Sequence, residues 1–76
     1  MGIEGITKLS FFENGKKTDT MYLVMYSNGE RVTYTKKSLT QNVNDYITIC
    51  IKYKKAVKRI IVPFASGILE TTVYEL

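Results

Sequence analysis

The sequence predicts an α+β domain: a small antiparallel or mixed β-sheet in β-β-β-α-β-β order, with one amphipathic helix packed on one face. Three observations predict it. Asn28-Gly29 lies between two β-prone runs, and apolar residues from Leu39 to Val57 recur at helical spacing. Two further β-prone runs, separated by Ala65-Ser66-Gly67, close the chain. Its 76 residues set one domain over residues 1–76, with a thin core. A chain of this size buries only about 60% of the surface it exposes when unfolded.

Ile6 to Glu13 reads as the first strand, followed by Asn14-Gly15 and the polar stretch Lys16 to Asp19. That loop is either tight or longer, so the register of the first pair stays open. Tyr22 to Thr35 reads as a hairpin, because Asn-Gly tolerates positive φ at both centres of a type I′ turn. A two-residue turn sets Met25 opposite Val32 and Leu23 opposite Tyr34. Tyr22, Val24 and Tyr26 then fall on the other face, beside Arg31, Thr33 and Thr35.

Tyr46 to Tyr53 is strand-prone on propensity alone. Periodicity favours a helix instead, from Leu39 to Lys55. Leu39, Val43, Tyr46, Ile47, Cys50, Tyr53 and Val57 fall within an arc of roughly 120°, the width of a core-facing stripe. Ser38 is the expected N-cap with Gln41 three residues on, and Lys52, Lys54 and Lys55 suit the negative end of the helix dipole. Cys50 is expected to be buried in that stripe, and Asp45 to project outward. Lys58 to Phe64 follows as a strand. Ile60, Ile61 and Val62 in a row suggest burial on both faces, and Pro63 suggests that pairing stops there. Ile68 to Tyr74 is the last strand, with Glu75 and Leu76 fraying.

The absences are informative about chemistry. There is no His, which removes Ser-His-Asp and Cys-His nucleophile pairs and His-bound zinc. A single Cys excludes an intrachain disulfide framework, a Cys-rich zinc site and a Cys-x-x-Cys redox motif. No carboxylate pair is set by local spacing for acid–base work, and the five separated glycines match no phosphate-binding loop. The expectation is a protein that is not an enzyme and takes neither cofactor nor metal. No apolar run approaches the length of a membrane span, and Met1 to Ile6 resembles no secretory signal. Ile6 stands where a myristoylation motif needs Ser or Thr. A cytoplasmic location is expected, and the Lys-, Ile- and Asn-rich composition suits a low-G+C genome such as that of a phage or mobile element.

Two features point to binding. Residues 31–59 hold eight Lys and Arg against Asp45 alone, while the carboxylates gather toward the ends. Lys36, Lys37, Lys52, Lys54, Lys55, Lys58 and Arg59 are therefore candidates for phosphate contact. The plain alternative is a solvated helix end, and the excess of Lys over Arg argues against base reading. The second feature is the face carrying Tyr22, Val24 and Tyr26 with Arg31, a candidate protein interface because Tyr is enriched at interface centres. The last strand or a second copy of the chain would cover that face equally well. The sequence therefore supports a small binding module acting by protein–protein interaction, in a regulatory, inhibitory or accessory role. Its alternative is a nucleic-acid-binding protein.

Overall fold

The computed structural model describes residues 2–53 and 55–74. It is an α+β fold with five antiparallel strands in one sheet. The elements are β1 (Ile3–Glu13), β2 (Lys16–Tyr26), β3 (Arg31–Thr35), α1 (Lys36–Gln41), α2 (Val43–Lys52), β4 (Ala56–Phe64) and β5 (Gly67–Tyr74). The strands lie side by side in the order β3-β2-β1-β5-β4. The order β-β-β-α-β-β is thus observed, with the helical segment divided in two.

The first Asn-Gly makes the tight turn. Glu13 pairs with Lys16, and Asn14 and Gly15 both have positive φ, 51° and 76°. The second Asn-Gly behaves differently. Only Gly29 has positive φ, the Gly29 N–H donates to the Tyr26 carbonyl, and the Tyr26 N–H donates to the Glu30 carbonyl. Asn28 instead uses its side chain to accept from the Glu30 N–H at 3.0 Å. The loop therefore contains three residues, a type I turn closed by a left-handed glycine. That extra residue slips the register by one. Val24 pairs with Val32 and Tyr22 with Tyr34, correcting the expected Met25–Val32 and Leu23–Tyr34 pairs.

The helical stripe breaks at Asn42. Thr35, not Ser38, caps α1: its Oγ1 accepts from the Ser38 N–H at 3.1 Å while Ser38 Oγ accepts from the Thr35 N–H at 2.9 Å. Asn42 closes α1 and opens α2 with a non-helical ψ of 81°. The break turns α2 about its axis relative to a continuous helix. Its inward positions become Asp45, Ile49 and Tyr53, spaced at i, i+4 and i+8. Val43, Tyr46, Ile47 and Cys50, expected in the core, are exposed. Tyr53 is buried against the sheet, and its hydroxyl donates to the Ile3 carbonyl.

Both helices sit over one face of β3, β2 and β1. Beneath them lie Ile3, Ile6 and Val24, with Tyr22, Tyr26 and Tyr34 packed around them. Tyr22, Val24 and Tyr26 were expected on the face away from the helix, and the structure reverses this: Val24 is 0% exposed. Arg31 pairs with Met25 and so lies on the opposite face from these residues. β4 departs from expectation in the opposite sense. Ile60, Ile61 and Val62 are exposed on an edge strand, where both faces were expected to be buried. Pro63 does not end the pairing, which continues through Pro63–Ile68 to Phe64–Gly67. The edge strand tolerates a proline because its open side needs no N–H.

Candidate functional site

Strand alternation divides the sheet into two unlike faces. The helix-side face closes through a polar clasp as well as through apolar packing. Asp45, in the first turn of α2, accepts hydrogen bonds from the hydroxyls of Tyr26 and Tyr34, the latter at 3.2 Å. The two hydroxyls also lie 3.0 Å apart, and Asn42 Nδ2 donates to the Tyr34 hydroxyl at 3.2 Å. Residues 42 and 45 at the head of α2 are thereby tied to β2 and β3. Burial, followed by the hydrogen bond to Asp45, pushes the Tyr26 phenol above its ordinary range. Burial also raises Tyr22 and Tyr53. Asp45 was expected on the outer side of a continuous helix; the break at Asn42 turns it inward.

The opposite face has no helix over it. Following the pairs across the sheet, one row runs Asp19, Phe11, Leu69, Val62. The next runs Thr35, Met21, Leu9, Thr71, Ile60. A third runs Thr33, Leu23, Thr7, Val73, Lys58, and the last holds Arg31, Met25 and Gly5. The centre is apolar with interleaved threonines, and the charges stand at its corners. This is the anatomy of an association surface, an apolar core within a polar rim. It also has relief. Gly5 presents no side chain, Met25 Cε comes within 3.4 Å of where its Cβ would stand, and a hollow of about 340 Å³ opens beside it among Glu4, Thr7, Leu23, Arg31 and Val73. Phe11 stands at the other end of the same strand.

The cations singled out from the sequence are spread over several elements. Lys36 and Lys37 begin α1, Lys52 ends α2, Lys55 lies between α2 and β4, and all four are exposed. Lys54 lies outside the described residues. Lys58 and Arg59 are adjacent on β4 and point to opposite faces. Arg59 is also engaged, its Nε 3.5 Å from the Glu70 carboxylate. The cations that act on one another include two that the sequence reading passed over. Lys8 is held below its ordinary range first by burial, then by Lys17 and Lys36. These three come from β1, β2 and α1, so no local charge run announces them.

Among the described residues no group of three or more His, Cys, Asp or Glu side chains could hold a metal ion. No helix among the described residues is long and apolar enough to cross a membrane. Comparison of the chain with protein-family models, with curated proteins and with solved structures found no match.

Proposed function

We propose that this chain is a small non-catalytic binding module that acts by protein–protein association, in a regulatory, inhibitory or accessory role. The observation that supports this is the bare sheet face, with its apolar centre and its charges at the corners. Monomeric proteins rarely leave a contiguous apolar patch larger than a few hundred Å² open to water. The uncovered face replaces Tyr22, Val24 and Tyr26 as the interface, and Arg31 stays as part of its rim. β4 extends the surface, because each of its nine residues is exposed.

The test is to titrate the protein with 1-anilinonaphthalene-8-sulfonate and to follow its mass by sedimentation. Dye fluorescence or concentration-dependent association is the expected result, lost in Leu23→Lys with the circular dichroism spectrum unchanged. A wild-type chain that stays both monomeric and dark would overturn the reading. Fluorescence anisotropy with labelled single-stranded and duplex oligonucleotides tests the alternative. Tight binding that weakens steeply with salt would make the protein a nucleic-acid binder. In that case the variant carrying Lys36→Glu, Lys37→Glu, Lys55→Glu and Lys58→Glu should lose binding.

A further inference from the structure

We infer that the occupant of the bare sheet face is a second copy of this chain, packed face to face about a two-fold axis. The inference rests on the association reading above and names its partner. Three observations carry it.

The first is size. Five strands at about 4.8 Å spacing make a face about 24 Å wide, and the seven residues from Gly5 to Phe11 run about 23 Å along it. That is roughly 550 Å² on each copy and about 1,100 Å² in all, before side-chain relief is added. A specific, stable interface begins at about 1,200 Å² in total. The face therefore falls just short of that size, and reaches it only when the side chains that stand proud of the sheet are counted.

The second is need. The buried apolar side chains among the described residues are Ile3, Ile6, Val24, Leu39 and Tyr53. So small a core leaves little stability, and oligomerisation is one of the ways small domains supply the rest. A second copy is a cover present wherever the chain itself is, and it would add stability to a monomer that already folds.

The third is self-complementarity, which a two-fold interface requires. An axis in the plane of the face, perpendicular to the strands and level with Lys8, exchanges the Phe11 end of β1 with the Gly5 end. Phe11 of one copy then fills the Gly5 hollow of the other, and the exchange happens twice. The same operation carries Asp19, opposite Phe11 on β2, onto the partner's Met25, the strand neighbour of Arg31. Two apolar insertions and two ion pairs follow from one axis. The open edge of β4 is a poorer seam. Lys58, Arg59 and Pro63 are the residues with which natural edges discourage strand addition.

Sedimentation equilibrium on the full chain tests this, with dye binding measured in parallel. The wild type should show twice the chain mass at about 100 μM, with micromolar or tighter dissociation. Asp19→Arg should weaken the dimer by about tenfold or more by facing the partner's Arg31 with a like charge. Adding Arg31→Asp to Asp19→Arg should restore it. Both positions are exposed, so neither change threatens the fold. Leu23→Lys should give a folded monomer. A wild-type monomer at about 100 μM that binds the dye overturns the second copy while leaving the association reading in place. A monomer that stays dark overturns both. A dimer indifferent to Leu23→Lys and Asp19→Arg overturns the face.

Discussion

The half of the sheet formed by β3, β2 and β1 and the half formed by β5 and β4 are built from the same kind of strand and end in opposite states. The first carries both helices, and Val24 at its centre is 0% exposed. In the second, β4 has Ile61 at 59% exposure, although Ile61 is as apolar as anything in the core. Composition does not separate them. What separates them is cover: α1 and α2 together make sixteen residues of helix, short enough to span only one half. An apolar strand is therefore a core strand only where something lies over it. The same holds between the two faces of the sheet, and the face that no helix covers is where a partner should be sought.

The largest test of this difference is a pair of truncations. Ile6→Ala beneath the helices should cost about 2–5 kcal/mol, a large fraction of the stability of so small a domain. Ile61→Ala on the open half should change stability by no more than about 0.5 kcal/mol. Urea unfolding at one fixed protein concentration compares them. Equal losses would mean that β4 is covered on its helix side in solution.

A smaller effect separates the halves along their seam. A Cβ added at Gly67 would lie 1.8 Å from the backbone oxygen of Phe12, which cannot swing away as a side chain would. Gly67→Ala should therefore push the β4–β5 hairpin off the end of β1, at about 1–3 kcal/mol. Hydrogen exchange should show β4 and β5 amides losing protection while β2 and β3 amides keep theirs. Loss across all five strands would show that the two halves unfold as one unit.

The polar clasp on the covered half has the smallest expected effect and a pH signature. Tyr26→Phe removes the hydrogen bond to Asp45 and should cost about 1–2 kcal/mol. The folded chain holds the Tyr26 proton beyond the point, near pH 10, at which the unfolded chain releases it. The unfolded state then binds fewer protons, so this contribution is complete below about pH 10 and falls as pH rises past it. Lys8, held low, acts in the opposite sense. Tyr26→Phe should make the alkaline decline shallower. An unchanged slope would assign the decline to the other raised phenols, Tyr22, Tyr46 and Tyr53.

Much of the candidate surface was legible before the fold was known, although its state was not. Alternation alone sets Leu23 and Met25 on one face and Tyr22, Val24 and Tyr26 on the other, whichever face the helix chooses. The choice itself depended on contacts between residues far apart in the chain. Asp45 meets Tyr26 and Tyr34 across 19 and 11 residues, and Tyr53 meets Ile3 across 50. No local window contains those pairs.

By itself the sequence determined the order of the elements and the alternating faces, while the loop at Asn14-Gly15 stayed open until the structure showed it tight. Both the order and the alternation follow from sterics and spacing within a few residues. Only the tertiary structure decided the register of the second hairpin, where Asn28 turned its side chain to the Glu30 N–H. It also decided the break at Asn42, and which face the helices cover. A one-residue slip or a single non-helical ψ has little energetic consequence locally. Each is settled by whether Tyr34 and Asp45 then meet over a common core.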